Sequence, residues 1–348
     1  MLERGDDFAG YVIRRRLGVG GMAMVFLARH PRLPRLVALK LLDPRLYTDT
    51  EIRRRFEREA DLAARLEHPN IVTVYDRGTE DRQLWISMQY VAGADAASID
   101  VNVLDPHRAV QIIADTADAL DFAHANQVLH RDVKPANILL AKAPIGQPER
   151  VLLTDFGIAG RRDAETTLAA PGTITATLAY AAPEQLLGTT LDHRGDQYSL
   201  ACTLFWLLTG RPPYPGRNPA EIINGHLRAP VPRPSRLRPG LSPALDDVLA
   251  RALAKDPADR YSCCLEFART AQYALRAYGA PVGRVPARPY PSSGHARVAP
   301  YPTPPRPYPP SRRTAPTPTA IDLPGFRRPP GGVPPERRAR PPHDPGPT

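Results

Sequence analysis

The residues from His130 to Asn137 read His-Arg-Asp-Val-Lys-Pro-Ala-Asn, and their types divide one chemical task among them. Asp132 offers an acceptor for a hydroxyl proton, Lys134 a cation for a transferring phosphoryl group, and Asn137 an oxygen ligand for a metal. Beyond them, Asp155-Phe-Gly157 follows the apolar run Val151 to Leu153, which puts a carboxylate at a strand end with a glycine to let the chain turn. A hard oxygen donor there suits Mg2+. Upstream, Val37-Ala-Leu-Lys40 ends an apolar run on a lysine, whose ammonium needs a carboxylate partner if it is buried.

These groups need elements to hold them. Leu17-Gly-Val-Gly-Gly-Met-Ala-Met-Val25 carries Gly18, Gly20 and Gly21 between two strand-like runs, a pattern that suits a turn whose backbone N–H groups lie over phosphates. A glycine-containing hairpin would read the same way. The segment from Glu51 to Leu66 has helical spacing, and Glu59 lies near its apolar stripe of Ile52, Phe56 and Leu66, which makes it the candidate partner of Lys40. The alternative is that Glu57 or Glu59 pairs with the surrounding arginines on a solvated face. Short apolar or alternating runs otherwise fill residues 8–90, whereas longer helical stretches, such as Pro106 to Ala125, Ser199 to Thr209 and Ala244 to Ala254, fill the chain to Tyr278. Two unequal lobes joined near Met88 to Gly93 would leave a cleft between them.

Composition sets the remaining bounds. Of 42 prolines, 22 fall in residues 279–348, together with 11 arginines, no lysine and three acids, so most of the formal charge of +10 belongs to this segment. Its composition predicts a disordered Pro/Arg-rich tail with polyproline II character. The role expected of it is a stiff, soluble spacer, and the alternatives are a ligand for a domain that binds Pro-rich motifs or an arm for an anionic partner. The body is close to neutral, which argues against specific nucleic-acid binding. Three cysteines, Cys202, Cys263 and Cys264, are too few and too clustered for a disulfide framework or a four-ligand zinc site. No targeting or transmembrane segment is apparent, and a cytoplasmic location is expected.

Taken together, the glycine loop, strand lysine, helix glutamate, His-Arg-Asp loop, Asp-Phe-Gly and Ala182-Pro-Glu184 resemble the eukaryotic-type Ser/Thr protein kinases of bacteria, especially those of actinobacteria. Asp196 and Arg260 match further landmarks of that family. The resemblance covers about residues 8–278 and implies an α+β fold, with a small β-rich lobe of about 8–90 and a helical lobe of about 91–278. It implies ATP and Mg2+ as cofactors, with Mn2+ able to substitute, and protein substrates. Leu17, Gly18, Val19, Gly20 and Gly21 would cover the nucleotide, Lys40 would hold its phosphates and pair with Glu59, and Asn137 and Asp155 would bind the metal. Val25 and Ala38 above and Leu139 below would sandwich the adenine, with Gln89 and Val91 bonding its edge and Met88 as gatekeeper.

In the same family, Arg131 beside Asp132 accompanies activation by phosphorylation, here expected at Thr173 or Thr175, with Thr166 and Thr167 as further candidates. Lys134, together with Thr177 before Ala-Pro-Glu, resembles the Ser/Thr rather than the Tyr pattern, and Ile158 resembles kinases that prefer threonine. Glu184 is expected to pair with Arg260. Three positions depart from the pattern: Ala23 stands for the third loop glycine, Gln89 for a hinge glutamate and Ala176 for a glycine. The expected function is an autophosphorylating Ser/Thr kinase, and the alternative is a catalytically weak, ATP-binding scaffold. Family members often dimerise through the small lobe.

Overall fold

The computed structural model describes residues 2–20, 22–143, 149–156 and 178–279, apart from the side chains of residues 55 and 277–279. In the first lobe, alternation along β4 (Leu36–Leu42) sorts its side chains between two faces. Val37, Leu39 and Leu41 enter an outer cluster with Tyr11, Ile13, Phe26 and Trp85, whereas Ala38 and Leu42 join an inner cluster with Ile52, Phe56, Ile86 and Met88. Lys40 shares the inner face by the same period of two. The sheet runs β1 (Asp7–Phe8), β2 (Tyr11–Val19), β3 (Ala23–Arg29), β4, β6 (Gln83–Gln89), β5 (Val74–Glu80), and all of its pairs are antiparallel.

Helix α1 (Thr50–Ala63) packs on the inner face of this sheet. Asp49 caps it by accepting from the N–H groups of Glu51 and Ile52. Ile52, Phe56, Ala60 and Ala63 form the buried stripe, and Glu59, next to Ala60, is carried inward with it. The helix is shorter at its C-terminal end than the Glu51 to Leu66 periodicity suggests, and Leu66 is buried in the core of the helical lobe instead.

A second sheet, β7 (Gly93–Asp95), β8 (Ile138–Ala141) and β9 (Arg150–Leu153), opens the helical lobe. Its other helices are α2 (Pro106–Ala125), α3 (Pro183–Leu186), α4 (His193–Thr209), α5 (Pro219–Arg228), α6 (Pro243–Ala252) and α7 (Cys264–Gly279). Pro106, Pro183, Pro219 and Pro243 each occupy a first helical position, where a missing N–H costs nothing. Asp105, Asn218 and Ser242 supply the preceding caps in α2, α5 and α6.

Helix α4 begins six residues earlier than the apolar run from Ser199 predicts, because Asp192 caps it and its first turns are polar yet buried. Being buried almost all round, it forms the axis of the helical lobe, and Leu200, Leu204, Phe205 and Leu208 pack there with residues of α2, α6 and α7. Gly210 ends it in the left-handed conformation, at φ 74°. Among the described residues, no helix is long and apolar enough to cross a membrane.

Candidate active site

Lys40 sits at the focus of the small lobe, buried to 6% exposure, with Nζ 3.0 Å from Glu59 Oε1 and 2.7 Å from Asp155 Oδ1. The structure thus brings together three residues that sequence spacing could only nominate, and Glu59 pairs with Lys40 rather than lying on a solvated face. Burial alone would lower the Lys40 pKa, but the two carboxylates outweigh it and lift the pKa above its ordinary value. Burial pushes the Glu59 carboxyl up to about 8 against the pull of Lys40. At Asp155 burial acts in the same upward sense, yet Lys40 prevails and holds the carboxyl below its usual range. Asp155 is therefore ionised at neutral pH.

Across the cleft, the catalytic-loop residues are positioned by hydrogen bonds more than by regular structure. Lys134 Nζ lies 2.6 Å from Asp132 Oδ2, and Asn137 Nδ2 donates to the same oxygen at 3.1 Å and to the Asp132 carbonyl at 2.8 Å. Among the described residues nothing donates to Oδ1 of Asp132. His130, fully buried, accepts the Asp132 N–H at Nδ1 and donates from Nε2 to the Thr154 carbonyl, which fixes one tautomer. Its ring packs 4.7 Å from that of Phe156, so the loop is tied to the segment bearing Asp155.

Two non-glycine residues here take left-handed backbone, Arg131 at φ 65° and Asp155 at φ 63°. Such conformations are costly and persist only where the surroundings enforce them. At Arg131 the N–H donates to Asp196 Oδ1 at 2.7 Å and the carbonyl accepts from Gln185 Nε2 at 3.0 Å. Asp196, 3% exposed, also accepts the His130 N–H at 2.8 Å. Arg131 Nε is buried and has no hydrogen-bond partner among the described residues. The strained backbone at Arg131 left no signal in the sequence, because its partners Asp196 and Gln185 lie 65 and 54 residues along the chain.

Leu17, Val25, Val91 and Leu139 all pack on the inner cluster that contains Ala38 and Met88, so the residues nominated for one apolar slot are contiguous. In the hinge the Gln89 N–H is already used, donating to Thr73 at 2.8 Å. A Cβ added at Gly18 would meet nothing within 4 Å, and one at Gly20 only the Ala23 carbonyl at 3.4 Å. The fold itself therefore does not demand glycine at either position, whereas close approach of a ligand would. Val19 is exposed at the tip. Ala23 stands in ordinary strand conformation, so no glycine-like φ is required of it.

For a divalent metal, the donor set fits. Asp155 is an ionised carboxylate whose Oδ1 alone is taken by Lys40, and Asn137 has its Nδ2 engaged, leaving its amide oxygen as the remaining donor. Gly21, Gly157, Ile158, Thr166, Thr167, Thr173, Thr175, Ala176 and Thr177 lie outside the described residues. Beyond them, Arg260 meets Glu184 in a buried bidentate pair at 2.7 and 2.8 Å, as expected.

A sheet lobe and a helical lobe meeting over a lysine–carboxylate pair and an Asp-Lys-Asn loop define a two-lobed phosphotransferase. The family model described as the protein kinase domain matches residues 11–272. The serine/threonine-protein kinase PknF of Mycobacterium tuberculosis is 51% identical over 284 residues, covering 80% of this chain and 59% of PknF. PknJ of the same organism is 50% identical over 293 residues, covering 83% of this chain and 49% of PknJ. The crystal structure of the M. tuberculosis PknI kinase domain is 42% identical with a TM-score of 0.64, covering 79% of this chain and 99% of that one. The chain belongs to the protein kinase family, in its bacterial eukaryotic-like Ser/Thr branch. It spans little more than half the length of PknF and about half that of PknJ. The family uses ATP with a divalent metal and acts on proteins.

Proposed function

We propose that this protein is an active kinase that transfers the ATP γ-phosphoryl group to Ser or Thr hydroxyls of proteins, with threonine preferred. The observation that carries the reading is the geometry of Lys40, held at once by Glu59 and Asp155, opposite an Asp132 whose Oδ2 is committed and whose Oδ1 has no partner among the described residues. In this reading Lys40 orients the α- and β-phosphates, Asp132 Oδ1 accepts the proton of the attacking hydroxyl, and Lys134 stabilises the charge on the transferring group. Leu17 to Gly21, Val25, Ala38, Gln89, Val91 and Leu139 bind the nucleotide. Asn137 and Asp155 hold Mg2+, or Mn2+ in its place, which when bound neutralises charge on the phosphates.

Arg131, whose Nε has no hydrogen-bond partner among the described residues, is the group suited to grip a phosphothreonine, so autophosphorylation at Thr173, Thr175, Thr166 or Thr167 is the proposed switch, with Thr177 on the substrate side. The kinase domain is taken as residues 8–278, and residues 279–348 as a docking or spacer arm. A cytoplasmic location and a small-lobe homodimer complete the proposal. No observation favours the scaffold alternative. The test is phosphosite mapping of phosphatase-treated protein after incubation with Mg-ATP, beside Asp132→Asn and Lys40→Met. Phosphate at Thr173 or Thr175 in the wild type alone supports the reading, and ATP binding without transfer in the wild type overturns it.

A further inference from the structure

Away from the cleft, α2 and the start of α7 enclose a second group of ionisable side chains. Asp121 and His124 lie one turn apart on α2, and Cys264 opens α7. A carboxylate oxygen of Asp121, a ring nitrogen of His124 and Sγ of Cys264 all stand within 4.8 Å of one another. Cys264 is fully buried, the His124 side chain keeps 10% exposure and that of Asp121 18%, so Asp121 forms the lip of the group. Its carboxylate is held in place by the N–H groups of Cys264 and Leu265, at 3.0 and 2.9 Å.

The state of His124 is the second, independent observation. Nε2 lies 2.8 Å from Asp196 Oδ2, but Nδ1 is buried and has no hydrogen-bond partner among the described residues. Asp121 Oδ1 stands 3.8 Å from it, too far for a hydrogen bond. A carboxylate oxygen and a ring nitrogen sharing a tetrahedral ion at bond lengths of roughly 2.0–2.2 Å stand about 3.3–3.5 Å apart. The separation that defeats a shared proton is a few tenths of an ångström from the one a shared metal requires, a closure that a side-chain rotation supplies. A proton alone would make His124 an imidazolium between two carboxylates, but it would leave Nδ1 without an acceptor in reach.

We propose that Asp121, His124 and Cys264 bind one Zn2+ ion, with a water molecule completing the tetrahedron. On binding, the Cys264 thiol proton and any proton on His124 Nδ1 pass to solvent. The His124 Nε2–H then donates to Asp196, an arrangement in which a carboxylate orients a metal-bound imidazole. Because Asp196 also accepts the N–H groups of His130 and Arg131, the ion braces the catalytic loop from behind. None of its three protein ligands touches Lys40, Asp132 or Asp155.

The experiment titrates Co2+ as an absorbing substitute for Zn2+ into tag-free full-length protein and into Cys264→Ser, Cys202→Ser and Asp121→Asn. One equivalent should give a thiolate-to-cobalt absorption band that Zn2+ displaces, that survives Cys202→Ser and that is absent in Cys264→Ser. Asp121→Asn, which keeps an acceptor for the start of α7, should weaken Co2+ binding at least tenfold and so reads the site even if Cys264→Ser fails to fold. A wild type without a saturable band, a band that persists in folded Cys264→Ser, or unchanged affinity in Asp121→Asn overturns the proposal.

Discussion

At Asp132 the division between two oxygens argues for a general base rather than an ion-pair partner. Lys134 and Asn137 both converge on Oδ2, and no described residue donates to Oδ1, the oxygen proposed to take the substrate proton. Asp132→Asn should preserve the hydrogen bonds that shape the loop while removing the base, lowering kcat by roughly 10²–10⁴-fold with little change in the KM for ATP. Steady-state kinetics on a generic protein substrate check this. His226 makes a separate prediction about acid stability. It is fully buried against Tyr198, whose hydroxyl lies 2.9 Å from Nδ1, and burial pushes its imidazole down to about 4. Between the ordinary value of 6.5 and about 4 the unfolded chain binds the proton that the folded one refuses. Its contribution is therefore present above pH 6.5 and lost as pH falls through that window, by roughly 3 kcal/mol in all. Urea unfolding at pH 7.5, 6 and 5 should show His226→Gln less stable at the highest pH but with a shallower loss on acidification than the wild type.

At the scale of elements, what the sequence made legible and what it hid follow one physical division. Helix α2 matched its predicted span because Asp105, Pro106 and an amphipathic pattern announce it locally. Helix α4 did not, since a helix buried all round has no polar face to set a period, and its Asp196 acts through partners 65 and 66 residues upstream. The site divides in the same way: Asp132, Lys134 and Asn137 are visible within one octapeptide and Glu59 by its place near the stripe of α1, whereas the meeting of Lys40 with Asp155, 115 residues along the chain, needed the fold. Asp196→Asn is expected to loosen the backbone at His130 and Arg131 without touching the nucleotide slot, lowering kcat by up to about 100-fold while the KM for ATP stays near wild type. A parallel loss of ATP affinity would place its effect elsewhere. In α3, Glu184 and Arg260 form a buried bidentate pair, and removing one partner strands the other. Glu184→Gln should cost about 3–5 kcal/mol in denaturant unfolding, with much of it recovered when Arg260 is replaced by Met as well.

On the scale of the whole chain, the described residues build a continuous hydrophobic core in the helical lobe, of which the last helix is part. Helix α7 packs Phe267, Ala268, Ala271 and Leu275 into the same cluster as α2 and α4, and Tyr198, Leu204 and Leu249 lie fully buried with them. The segment that follows carries a net +8 by its 11 arginines and three acids, in a chain whose total is +10. A segment of that charge would attract anions over a range screened to roughly 8–10 Å at physiological salt, and the residues nominated for phosphoryl transfer all precede it. Deleting residues 279–348 should therefore leave kcat on a neutral generic substrate within tenfold of the full chain and its melting temperature little changed. On an acidic protein substrate the full chain should have the lower KM at low ionic strength, and the advantage should fade as salt is raised. Kinetics on both substrates at two salt concentrations separate the cases: a loss of more than tenfold in kcat on the neutral substrate would assign the arm a part in folding or regulation, whereas a salt-sensitive difference confined to KM on the acidic one would assign it to substrate capture.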